Sequence, residues 1–186
     1  MPGAWIINNG IFFVDDVVLT QFWSAIANHG TAYIENSLFT KNSTGALGGA
    51  IYNEGAVTIG NTRFEENTGG TSAGGNWAGG AIYNGGGTVT ITDSSFNNNS
   101  ADKGGAIATT GGLISIARGV FTSNHADSGG AIWISGGSVD ITDSTFSHNQ
   151  AIHLCWLHHT SVRNQAKTPV VLDSHTRQLA GMYIML

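Results

Sequence analysis

The sequence predicts an all-β fold, a parallel β-helix of about six coils of roughly 25 residues each. Three observations carry this reading. Gly-Gly-Ala-Ile ends at Ile82, Ile107 and Ile132, an advance of 25 at each step. Phe-x-x-Asn falls at Phe96/Asn99, Phe121/Asn124 and Phe146/Asn149 and keeps the same step. Between these markers, stretches such as Val89-Thr90-Ile91 alternate apolar and polar residues, as a half-buried strand does. The Gly-rich turns that separate them are too short for a crossover helix, so the strands stack in parallel only if the chain winds as a helix of strands. With neighbouring strands about 4.8 Å apart, the coils make a rod of roughly 30 Å.

The chain can be followed coil by coil. Ile6, Asn8-Asn9-Gly10, Phe12, Val14 and Leu19 follow the spacing of Ile51, Asn53-Glu54-Gly55, Val57, Ile59 and Phe64, but Phe22 stands where the closing Asn is due. This segment reads as a degenerate end coil. Ser24-Ala25-Ile26, Ala32-Tyr33-Ile34 and Phe39/Asn42 make the second coil, and Gly48-Gly49-Ala50-Ile51, Val57-Thr58-Ile59 and Phe64/Asn67 the third. Six residues are then inserted before Gly79, in a polar, Gly-rich loop over residues 68–78 that carries Trp77. Three regular coils follow, each expected to hold three strands, around Ala-Ile-x, Val-x-Ile and x-Phe-x. After Ala151 the pattern stops, since the Gly-Gly due at 154 and 155 is replaced by Leu154-Cys155. The expected division is a repeat domain over residues 1–151 and an atypical C-terminal tail or cap over 152–186.

Stacking turns equivalent positions into columns. Ile26, Ile51, Ile82, Ile107 and Ile132 form one interior column, and Phe39, Phe64, Phe96, Phe121 and Phe146 a second. Asn42, Asn67, Asn99, Asn124 and Asn149 form a third, in which each amide can donate to one neighbour and accept from the other.

Composition excludes several classes. The 27 Gly against 2 Pro, with 10% charged residues, rule out a collagen-like or charge-driven disordered chain. Seven scattered Lys and Arg in a chain of net charge -5 make no nucleic-acid footprint. No stretch is long and apolar enough to span a bilayer, and the opening Met1-Pro2-Gly3-Ala4-Trp5 does not read as a signal peptide. The single Cys155 permits no internal disulfide.

The paired Gly-Gly-Ala-Ile and Phe-x-x-Asn elements, from Gly48 to Asn149, resemble the repeats of the chlamydial polymorphic outer-membrane proteins. The resemblance covers roughly residues 24–151 and implies a right-handed β-helix, similar in fold to pectin and pectate lyases. It further implies an adhesin at the cell surface or outside the cell, with a host or neighbouring cell-surface protein or glycan as partner.

Two site readings follow, one enzymatic and one of binding. Asp93, Arg118 and Asp143 stack in the turn after Val-x-Ile. Two coils separate the carboxylates by about 9.6 Å, near the upper edge of the roughly 6.5 to 9.5 Å that inverting glycosidases use. A guanidinium between them disfavours a protonated carboxyl, which suits a charge ladder better than a general acid. A lyase or glycoside hydrolase is thus the alternative to a non-enzymatic binding scaffold. For binding, the candidates are Tyr52, Tyr83 and Trp133, in the outward column that also holds Ala27 and Ala108, together with Trp77 of the inserted loop. Aromatic faces on a rigid rod suit sugar rings or a protein partner. No cofactor is expected. Ca²⁺ has one candidate place, between Asp102 and Asp127, where Lys103 opposes it. His153, Cys155, His158 and His159 match no zinc spacing.

Overall fold

The computed structural model describes residues 6–70, 78–153, 161–164 and 171–172. These wind as a parallel β-helix, and every pairing between strands is parallel. The first coil holds β1 (Ile6–Asn8), β2 (Ile11–Asp15) and β3 (Val18–Thr20), each at the end of its own sheet. Above β1 lie Ile26–Asn28, Ile51–Asn53, Ile82–Asn84, Ile107–Thr109 and Ile132–Ile134. Above β2 the second sheet runs through Thr88–Thr92 to Ser138–Thr142, and the third runs from β3 through Ser95–Asn97 to Thr145–Ser147. Within the tail, Ser161–Asn164 pairs with Ser138–Thr142, and Val171–Leu172 with Thr145–Ser147.

Two features depart from the expectation. Three strands per coil become four in the later coils, where Ser100–Lys103, His125–Ser128 and Gln150–His153 form a further sheet. Among its described side chains Ala101 and Ala126 are the buried ones, with Ala151 half-buried above them. One small apolar residue per strand leaves no alternation for a sequence pattern to detect. The insertion before Gly79 is six residues as expected, but one further residue is added downstream of it. Ile82 pairs with Ile51 at an offset of 31, but Val89 pairs with Val57 at 32. The extra residue sits in the turn Gly85-Gly86-Gly87. There the Asn84 side chain donates to the Gly87 carbonyl, whereas Asn53 reaches its own turn one residue sooner, at Gly55.

Packing follows the columns. Ile26, Ile51, Ile82 and Ile107 are fully buried, as are Phe39, Phe64, Phe96 and Phe121. The phenyl rings stack along the rod with centroids 4.9, 4.8, 4.7 and 4.6 Å apart, close to the strand spacing itself. The Gly-Gly before each Ala-Ile has two physical reasons. Gly104, with φ of +65°, takes a left-handed conformation that side chains disfavour. A Cβ on Gly105 would collide with the Gly130 carbonyl of the next coil.

The amide column closes as a ladder. Asn42, Asn67, Asn99 and Asn124 each donate Nδ2–H to the Oδ1 of the next Asn, at 3.0, 3.0, 3.0 and 2.9 Å. The same Oδ1 accepts the preceding Asn's backbone N–H, and from Asn67 onward the second amide proton goes to a Phe carbonyl of the coil below. Asn124→Leu removes the acceptor of both Asn99 donors. It is expected to cost about 1 to 3 kcal/mol for polar groups left buried without a partner. An equilibrium denaturation midpoint equal to the parent's would contradict this. A second ladder, unforeseen in the sequence, joins Asn8, Asn28, Asn53 and Asn84 at 2.7, 2.8 and 2.9 Å and ends on the Thr109 hydroxyl at 3.4 Å. Its signal was present in the Asn-x-Gly turns at Asn8, Asn28 and Asn53.

Candidate functional site

The outward column of the first sheet runs Ile7, Ala27, Tyr52, Tyr83, Ala108, Trp133, as its register requires. Stacking changes what these rings can offer. Tyr52 and Tyr83 lie face to face, centroids 5.6 Å apart and 17° between planes, so each uses one face on the other. Tyr83 is only 9% exposed, packed with Ala78, Ala108, Leu47 and Trp133. The expectation of three open aromatic faces is therefore corrected. Tyr52 and Trp133 stay half-exposed, and Tyr83 is the buried ring between Tyr52 and Ala108. Trp77 lies outside the described residues, but Ala78, where the inserted loop rejoins the rod, packs against this cluster.

Polar groups fix the strip. The Tyr52 hydroxyl donates to Glu54 Oε1, and His29 Nδ1 meets Glu54 Oε2 at 2.9 Å. His29 also tilts against Tyr52, with ring centroids 6.1 Å apart. The hydrogen bond from Tyr52, reinforced by His29, holds the Glu54 carboxyl below its ordinary range. Burial first, and then the Glu54 carboxylate, push the Tyr52 phenol well above its usual value. Tyr83 shares a hydrogen bond of 3.0 Å with Thr110 Oγ1. Lys103 Nζ sits over the Trp133 ring, 4.9 Å from its centroid. His29, Glu54 and Lys103 were absent from the sequence-based candidates. Their signal was that residues 29 and 54 hold one column, beside the Tyr, once the stacking register is applied.

The charge column has a definite geometry. Arg118 grips Asp93 with two hydrogen bonds, Nε to Oδ1 at 2.6 Å and Nη2 to Oδ2 at 2.7 Å. Hydrogen bonding by Arg118 holds the Asp93 carboxyl below the usual range, and Asp143 on the far side adds to the raised pKa of Arg118. A carboxylate so held gives up no proton near neutrality. Its backbone explains the residue choice equally well. Asp16, Asn36, Asn61, Asp93, Arg118 and Asp143 all sit at one turn with φ between +42° and +54°, a region Asp and Asn tolerate better than most.

Asp102 and Asp127 neighbour each other in the fourth sheet. Burial, followed by repulsion from Asp127, raises the Asp102 pKa against the opposing pull of Lys103. Among the described residues no group of three or more His, Cys, Asp and Glu is placed to hold a metal ion. Cys155, His158 and His159 lie outside the described residues.

Comparison with known families matches two segments, residues 36–54 and 93–110, to the Chlamydia polymorphic membrane protein (Chlamydia_PMP) repeat. Each segment begins in the turn before a Phe-x-x-Asn and runs through the next Gly-Gly-Ala-Ile, from Phe39/Asn42 to Ile51 and from Phe96/Asn99 to Ile107. The chain carries repeats of this type on a parallel β-helix. No curated protein and no solved structure matches the chain. No helix among the described residues is long and apolar enough to cross a membrane.

Proposed function

We propose that the chain is a β-helical binding scaffold displayed at a cell surface, and that it contacts a protein or glycan of another cell through the strip formed by His29, Tyr52, Glu54, Lys103 and Trp133. The repeat family, one of membrane proteins, supports the location. The observation that carries the contact site is the fixing of the Tyr52 ring on an outward face. Tyr83 backs its face, and Glu54 holds its hydroxyl. A ring already ordered loses little conformational freedom on binding, and Tyr and Trp dominate interface energetics for this reason.

The test compares the parent with the double variant Tyr52→Ala, Trp133→Ala in glycan-array and cell-binding assays, with folding followed by circular dichroism. Tyr83 is left in place because its burial ties it to stability. Each truncation at a true anchor costs at least about 1 kcal/mol, roughly a fivefold loss of affinity. A folded double variant that binds as the parent does would move the site elsewhere on the rod.

A further inference from the structure

The end of the rod at the first coil differs in chemistry from its flanks. Outward residues of later coils in the second sheet are mostly small or polar. The column of Phe13 continues as Tyr33, Thr58, Thr90, Ser115 and Asp140, and that of Ile11 as Thr31, Ala56, Thr88, Leu113 and Ser138, with Tyr33 and Leu113 the exposed apolar exceptions at 41% and 38%. In the first coil itself Ile11 is 72%, Phe13 71%, Ile7 62% and Val18 62% exposed, one or more on each of the three strands. The core is open there as well, since Ile6, Phe12, Leu19 and Phe22 are only partly buried. Among the described residues β1, β2 and β3 have no strand on their outer side. Exposed edges of this kind pair with other chains unless something blunts them.

The hydrogen-bond grammar bears on what can cover this end. Most coils pass both turn N–H groups forward to side-chain oxygens in the next, as Phe22 N–H does to Asn42 Oδ1 and Val17 N–H to Ser37 Oγ, while the Asn column does so at every step and the hydroxyl column skips one at Gly119. The first coil offers no such oxygen at these two positions, where Phe22 and Val17 replace the Asn and the hydroxyl residue. A further coil of the same grammar, stacked against β1 to β3, would bury two N–H groups without those acceptors. A second copy meeting end to end makes no such demand, because its own turn N–H groups already point into its own second coil.

We infer that the first coil is a self-association surface, on which two copies of this chain meet head to head about a twofold axis. With the axis passing beside Phe13, at the middle of β2, the two β2 strands pair antiparallel, and β1 of each copy meets β3 of the other. Both of those have three residues. Phe13 then lies beside its own counterpart, held in place by stacking on Tyr33 at 5.0 Å. Asp15 lies across from Ile11 of the second copy, so the two carboxylates are kept apart. The coil repeats after 20 residues, Ile6 to Ile26, and a specific interface uses roughly 20 to 30 residues from each partner. Such an isologous contact closes on itself and makes a dimer, with no open filament.

Sedimentation analysis of the full chain over a concentration series tests this, with circular dichroism as the fold control. The parent is expected as a dimer. Phe13→Lys puts two ammonium groups side by side and is expected to raise the dimer dissociation constant at least about tenfold, or 1.4 kcal/mol. Ile11→Lys places an ammonium beside Asp15 of the other copy and is expected to leave the dimer intact or tighten it. A contact that depended on greasiness alone would lose affinity with both variants, and that result overturns the twofold pairing. So does a parent that stays monomeric throughout, one that grows into open-ended assemblies, or a monomer that sediments with phosphatidylcholine vesicles.

Discussion

Ile107→Asp is expected to destroy the cooperative unfolding transition of the rod. The side chain is fully buried, between Ile82 below and Ile132 above. The position lies within the buried apolar cluster, so the group enters either as a buried charge or as a neutral acid among apolar side chains. The cost exceeds about 4 kcal/mol, beyond the range of ordinary substitutions and a large share of the stability of a domain this size. Because each coil is supported only by its neighbours, a failure in the fifth coil also removes the support of those on either side. Loss of β-type circular dichroism at 25 °C, or a melting temperature far below the parent's, is the expected readout. A variant that melts as the parent does would show that position 107 faces water.

Phe96→Ala is the second large effect. Phe96 is fully buried and has a ring on each face, Phe64 at 4.8 Å and Phe121 at 4.7 Å, each nearly parallel to it. Truncation removes the transfer free energy of one ring, the stacking with two, and leaves a cavity that flanking strands in fixed register cannot close. A loss of about 3 to 5 kcal/mol follows. Phe96→Leu, which keeps most of the volume, is expected to recover more than half of it. Chemical denaturation of both variants checks the order. Equal midpoints for Ala and Leu would mean that the column is not packed through its rings.

The fold was legible because its strongest constraints repeat the same residue type. An Ile or a Phe that returns after 25 residues must meet its own kind once strands stack, and Phe39 to Phe146 do so. Three features were hidden for physical reasons. Ser100–Lys103 turns only Ala101 inward, so its strand is held by backbone pairing that leaves no hydrophobic trace. The second amide ladder ends on Thr109 and then meets Ile134, so its column changes chemistry along the rod. His29 and Glu54 are a pair only in the folded register, because 25 residues of sequence separate groups that lie 2.9 Å apart. The aromatic column was foreseen correctly as to residues. Its exposure was not, because stacking buries the faces that a single outward residue would present.

The close equivalence of the columns makes length itself a property that a gene can vary without redesigning the protein. Excision of residues 104–128 would join Lys103 to Gly129 and bring Ile82 onto Ile132, Phe96 onto Phe146 and Asn99 onto Asn149, contacts of kinds the rod already contains. Several positions would register the change, Tyr83 among them, which would lose Thr110 and meet Trp133 in place of Ala108. Asp93 would face Asp143 with Arg118 gone, and Asn84 would lie under Ile134 instead of Thr109. Duplication of the same segment adds one coil, about 4.8 Å of reach, at equally small cost. Unequal recombination between near-identical repeats can thus set the length of the rod, and a change within residues 104–128 also resets the distance between Tyr52 and Trp133 along the outward column.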